Sequence, residues 1–254
     1  MSDKVLKIRT NREIRSYARE RLLGNMLIPC LVTFFFFSAR NVFELFMQYG
    51  ILGSDMFAFI FYIALFITIN SVWGLIRYGI SRYFLSFITT KKASPANMFA
   101  GFKGSTETII VVSLILAIIS LIFQLPYLIY TFFFSVNTIH SFLLSLVLFL
   151  AGNLVVYLIE AYLAPIYFVI CDNPGARLPW ILVITFSLMN TKNFFKYIGL
   201  QISFIPLYLL GFLSFGIGLL WVVPYAYTSY AYFYETLCES FLSNQPQKKE
   251  TSAE

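Results

Sequence analysis

The chain holds a single histidine, His140, and three cysteines, Cys30, Cys171 and Cys238. One histidine cannot build an H-E-x-x-H zinc site or any pair of imidazole ligands. The cysteines stand alone, without C-x-x-C spacing, in or beside apolar stretches where reduced packing residues belong. Charge is scarce: 12% of residues are Asp, Glu, Lys or Arg, against about 25% in soluble domains. No G-x-S-x-G elbow, P-loop or G-x-G-x-x-G turn is present. These absences argue against soluble-type hydrolase, nucleotide-binding and zinc chemistry. The expectation is a non-enzymatic protein with no cofactor and no metal.

What abounds is apolar surface. The residues are 59% hydrophobic and mean hydropathy is +0.78, more than a globule of 254 residues can hide from water. Runs of about 20 apolar residues, enough to cross ~30 Å of hydrocarbon, recur along the chain. They are continuous, without the alternation a β-barrel needs. The sequence therefore predicts an all-α, polytopic membrane helical bundle of about six transmembrane helices, with short interfacial helices.

Residues 1–21 form a basic N-terminal segment, in which Ile8, Ile14, Tyr17 and Leu22 fit an amphipathic helix on an anionic membrane surface. A plain topogenic charge cluster is the simpler reading of the same residues. A retained first span covers 22–38, which lacks a small-residue cleavage site. Arg40, Glu44 and Asp55 fall in a connection around 42–52, either the end of the first helix or an interfacial turn. The second span, 56–75, runs on through Arg77, Arg82, Lys91 and Lys92 into a basic compartment. After the break at Ser94-Pro95 come a short amphipathic piece, 96–104, and a third span, 108–127. The fourth, 142–170, would be about 43 Å long, too long for one perpendicular crossing, so Pro165 is the expected kink. Residues 179–190 are apolar but too short to cross, and an interfacial helix is expected there. A fifth span, 195–213, turns through Gly211, Gly216 and Gly218 into a sixth, 219–237. The membrane domain thus covers 22–240, and a polar tail, 241–254, is expected to be disordered.

On this threading, 17 of the 18 Lys and Arg residues lie on one side and Arg40 alone on the other. The positive-inside rule puts both termini in the cytoplasm. The +6 net charge is then topogenic, and no basic–aromatic motif of a nucleic-acid binder accompanies it. The expected partners are the lipid bilayer, anionic headgroups at the cytoplasmic face, and other membrane proteins. The halves also echo each other: each has a long span, a proline turn and a short piece carrying a methionine and a following lysine (Met98 and Lys103; Met189 and Lys192). A true repeat and a recurrence of helix–loop–helix grammar explain this equally.

One carboxylate stands inside an apolar run. Glu160 precedes Asp172 by 12 residues, about 18 Å along a helix. An ionised carboxylate in hydrocarbon costs a few kcal/mol, so Glu160 should be protonated, paired or turned to a cavity. No Lys or Arg falls in the apolar part of any predicted span. The candidate partners are therefore Asn70, Asn153, Gln201 and the tyrosines Tyr227, Tyr230 and Tyr234, which share a helical face at i, i+3 and i+7. A neutral acid bonded inside the bundle and ordinary aromatic packing account for the same residues.

Several segments stand in a familiar order. They are 11–25 (NREIRSYARERLLGN), 98–103 (MFAGFK), Tyr162 with 171–174 (CDNP), 187–190 (SLMN), 203–205 (SFI), 216–225 (GIGLLWVVPY) and 232–234 (YFY). Together, from about residue 9 to 240, they resemble the bacterial integral-membrane family called domain of unknown function 975. The sequence departs from the pattern at Asn190-Thr191, where Lys-Gly is common, and at Pro206, where Trp is common. The resemblance implies a bacterial plasma-membrane protein and brings no catalytic residue or cofactor. The expected function is a non-enzymatic scaffold, regulatory or envelope protein. The alternative is a small-molecule or lipid permease with Glu160 in a membrane cavity. A polar cavity lined by Glu160 favours the permease, and a solid bundle the scaffold.

Overall fold

The computed structural model describes residues 9–49, 56–90, 93–103, 106–134 and 138–244, and every regular element among them is helical. In chain order they are α1 (Asn11–Leu22), α2 (Leu27–Tyr49), α3 (Met56–Thr90), a 3₁₀ helix (Pro95–Phe102), α4 (Thr106–Phe133) and α5 (Ile139–Tyr162). There follow α6 (Ile166–Asp172), α7 (Leu178–Leu188), α8 (Thr191–Ile202), α9 (Ile205–Leu213) and α10 (Leu219–Asn244). This is the all-α membrane bundle that the long apolar runs require.

Among the described residues, four stretches are long and apolar enough to cross a membrane: α3, α4, α5 with α6, and α8 with α9. A fifth arises if α1 and the start of α2, which meet at a 107° bend, count as one span. The expected count of six is thus four or five by length and composition. The missing one is α10, which has the length, 26 residues, but whose tyrosines, serines and threonines dilute its hydropathy. Those side chains do not need lipid: Thr228, Ser229, Thr236, Tyr232 and Tyr234 are buried. A helix shielded by its neighbours can be polar where a lipid-facing one cannot.

The N-terminal basic segment packs as an amphipathic helix. Thr10 and Glu13 close a capping box at the start of α1, which satisfies two of its orphan amides. The bonds to the Thr10 N–H and hydroxyl hold the Glu13 carboxyl below the usual range. Ile14, Ala18 and Leu22 are buried, and the Tyr17 ring stacks on Tyr232 at 3.7 Å. At the far end Arg21 donates from Nε to the Phe87 carbonyl at 3.1 Å and from its guanidinium to Ile88. These are last-turn carbonyls of α3, which have no partner within their own helix. A cation at a helix C-terminus also favours the helix dipole.

α3 is the axis of the molecule and changes character along its length. Its first half, up to Asn70, buries only Ala58 and Phe59, whereas from Ser71 to Ile88 most residues are buried. The second half is wrapped by α1, the 3₁₀ helix, α4, α6 and α10. The 3₁₀ helix lies flat on it because Gly79 and Gly101 have no side chain. A Cβ on either would overlap the carbonyl of Met98 or Leu75 respectively.

Other expectations resolve locally. α2 runs unbroken past residue 40, so Arg40 and Glu44 belong to the end of the first long helix, the first of the two readings of that stretch, and not to an interfacial turn. Residues 50–52, the end of that expected connection, and Asp55 lie outside the described residues. α5 stops at Tyr162 and α6 begins after Pro165, which is the expected break, since proline cannot donate to the preceding turn. α7 has 11 residues, about 16 Å and too short to span. It buries Ile181 and exposes Trp180 and Val183. The α9–α10 turn needs its glycines: Gly216 has φ +84°, and a Cβ on Gly218 would lie 2.8 Å from the Gly211 Cα. α10 extends to Asn244, so the first residues of the expected tail are helical, and 245–254 lie outside the described residues.

Candidate functional site

Glu160 is paired. Its two carboxylate oxygens accept from Nη1 and Nη2 of Arg77, both at 2.9 Å, in the parallel fork geometry that makes Arg–carboxylate pairs strong. The expectation that no cation lies in the apolar part of a span is therefore corrected. Arg77 is the 22nd residue of a 35-residue helix, well inside it. The expected span ends at residue 75 and leaves Arg77 and Arg82 to its basic extension, whereas the apolar helix α3 continues to Thr90 and takes Arg77 in.

The pair stands between two cavities. The larger, about 580 Å³, extends from Arg77 toward Asn70 and Phe66 along α3. From α5 it takes Phe149, Asn153 and Val156, from α4 Ser120 and Gln124, and from α2 Arg40 and Glu44. The smaller, about 230 Å³, lies on the other side of Arg77, against Ser81, Tyr157, Tyr197, Gln201 and Tyr230. Arg77, Glu160, Tyr167 and Tyr227 belong to both linings. The Arg77 and Glu160 side chains keep 35% and 38% of their surface accessible, and that surface is cavity wall.

Local structure explains why these side chains meet. Asn70 and Arg77 are seven residues apart on α3, as are Asn153 and Glu160 on α5, and two helical turns return a side chain to the same face. The two stripes therefore run in register down one cavity. Asn70 and Asn153 each donate to the carbonyl four residues earlier, Phe66 and Phe149, at 2.8 Å. Arg77 sits over the Tyr167 ring, 5.9 Å from its centroid. Tyr167 is fixed in turn by a 3.1 Å hydroxyl contact with Ser113. That contact needs Gly74, where a Cβ would overlap the Ser113 side chain. One turn before Arg77, Trp73 carries Arg40 over its ring at 5.6 Å, and Arg40 pairs with Glu44 at 2.7 Å.

Six of the seven candidate side chains gather here. Glu160, Asn70, Asn153 and Tyr227 line the large cavity, and Gln201 and Tyr230 join Glu160 and Tyr227 in the small one. Tyr157 bonds Gln201. Tyr227 stacks on Phe84 at 5.5 Å, and Tyr230 packs on Tyr197. Tyr234 does not belong: its ring stacks on Phe168 and its hydroxyl donates to Asp172 at 2.6 Å. The sequence reasoning missed Arg77, Arg40 and Glu44. The signal for Arg77 was its seven-residue spacing from Asn70, which repeats in Asn153 and Glu160. Among the described residues no group of three or more His, Cys, Asp or Glu could hold a metal ion.

The family described as "Protein of unknown function (DUF975)" matches this chain over residues 1–240. The chain belongs to that family. No curated protein and no solved structure matches it. Membership brings no residue roles, and the cavities must be judged on their own chemistry.

Proposed function

We propose that this protein is a non-enzymatic carrier of a small polar solute across the bacterial plasma membrane, with both termini cytoplasmic. The observation that carries the proposal is the Arg77–Glu160 pair standing between two polar cavities inside an otherwise apolar bundle. Charges in a membrane interior are costly and are retained where they face a cavity or each other. A scaffold would be served by a solid interior, for which apolar packing is at least as stable as an ion pair. The polar space supports the carrier over the scaffold. In this account the pair is the closed point of a path, and a solute passes when its own groups replace the two partners.

The basic end supports the orientation. Helix α1, which carries Arg12, Arg15 and Arg19, meets helix α8, which carries Lys192 and Lys196, through the Asn11 amide donating to the Lys196 carbonyl at 3.1 Å. Such a face attracts anionic headgroups of the cytoplasmic leaflet. The large cavity then opens outward and the small one inward. The test is thiol accessibility in a chain whose three native cysteines are replaced. A membrane-impermeant maleimide should label Asn153→Cys in intact cells, and should label Gln201→Cys only in inverted vesicles. Both positions unreactive from both sides would return the account to a scaffold.

A further inference from the structure

We infer that the solute is a compact zwitterion, one ammonium and one carboxylate or phosphate on a short frame; this rests on the carrier reading. Among the described residues, the charged side chains of the large cavity are Arg40, Arg77, Glu44 and Glu160, two of each sign. A ligand with net charge would leave one of them unmatched in a medium that penalises unmatched charge. An uncharged ligand could part the central pair only by leaving both halves poorly compensated. A zwitterion replaces each half with its like. Its anion takes the planar Arg77 fork, which suits two-oxygen groups, and its ammonium takes Glu160.

The surroundings fit that polarity. The amide nitrogens of Asn70 and Asn153 each donate to their own helices, and their amide oxygens add acceptors to the lining of the large cavity, one on the Arg77 helix and one on the Glu160 helix. The Tyr167 ring already holds one cation, Arg77, and Tyr227 adds a second aromatic wall common to both cavities. Aromatic faces hold ammonium groups within about 6 Å. A volume of about 230 Å³ on the inner side is below that of drug-sized sites, which limits the frame to a few atoms between the charges.

Two sources carry this chemistry: a free amino-acid-like solute and the headgroup of an aminophospholipid. The cavity lies between α2 and α5, with side chains from both. Those two helices make their main contacts elsewhere, α2 on α3 and α10, α5 on α4 and α8. A headgroup could therefore enter sideways.

The experiment is calorimetric titration of the purified full chain in detergent. The probes are glycine, 4-aminobutyrate and glycerophosphoethanolamine, with acetate and ethylamine as split-charge controls. At least one zwitterion should bind ten times more tightly than either control. The neutral variant Arg77→Gln/Glu160→Gln should lose at least tenfold of that binding. Glycerophosphoethanolamine alone binding, with phosphatidylethanolamine nanodiscs protecting Asn153→Cys from maleimide, assigns the headgroup. Glycine or 4-aminobutyrate binding assigns a free solute. Controls that bind as well as the zwitterions, no zwitterion binding, or full binding by the neutral variant would each overturn the inference. If that variant does not fold, the wild-type comparison decides alone. Proteoliposome flux separates the two levels. Zwitterion binding without flux removes the carrier and leaves the site, whereas flux of a net-charged or uncharged solute keeps the carrier and removes the zwitterion.

Discussion

Arg40–Glu44 and Arg77–Glu160 line the same cavity at 2.7 and 2.9 Å, yet they are built in opposite ways. The first joins residues four apart on one helix, through a single bond from Arg Nε, with side chains 39% and 58% accessible. It forms wherever α2 forms. The second joins α3 to α5 across 83 residues through two parallel bonds. It exists only when the bundle is assembled, and it draws the two helices together at the narrow point between the cavities. A local pair decorates a helix; a tertiary one positions two of them.

That contrast can be pressed by mutation. The largest effect is expected from Glu160→Gln. It leaves the Arg77 guanidinium with a neutral partner, and the cost should be about 1–3 kcal/mol. That is below the 3–5 kcal/mol typical of a fully buried pair, because about a third of each side chain faces the cavity. A thermal unfolding midpoint in detergent checks it. Arg77→Lys should be milder, about 1 kcal/mol, since charge survives and one of two bonds is lost. The same melt on that variant measures it, and a loss as large as that of Glu160→Gln would mean the fork geometry does not matter. The smallest effect belongs to Glu44→Gln, expected within about 0.5 kcal/mol as for an exposed i,i+4 pair. A midpoint shift equal to that of Glu160→Gln would erase the distinction between the two pairs.

The same contrast marks what the sequence makes legible. Apolar run length is a local property, so the membrane bundle, the break at Pro165 and the short helix α7 could be placed from composition and turn chemistry alone. The exposed and buried halves of α3 could not, because both are apolar and only the packing of α1, α6 and α10 tells them apart. α10 shows the reverse: its tyrosines, serines and threonines lower its hydropathy below that of the other long helices, yet Thr228, Ser229, Tyr232, Tyr234 and Thr236 are buried against neighbours and need not meet lipid. Glu160 was visible as an anomaly, and Asn70, Asn153 and Gln201 as the polar groups able to reach it. Its true partner was hidden by the assumption that a basic stretch begins where the membrane ends. Tyr234 shares a helical face with Tyr227 and Tyr230, but one more turn carries it past the cavity to Asp172. Spacing gives the face, and neighbours decide what the face meets.

The central claim is that Arg77 and Glu160 act as one tertiary pair, and exchanging the charges tests it most directly. Arg77→Glu and Glu160→Arg should each lower the unfolding midpoint and membrane abundance, because like charges then face each other inside the bundle. The double variant Arg77→Glu/Glu160→Arg should recover most of the loss, with a coupling of at least 1 kcal/mol in the cycle, within the range of about 0.5–3 kcal/mol for contacting residues. A double variant whose losses simply add would mean that the two side chains do not meet in the assembled protein.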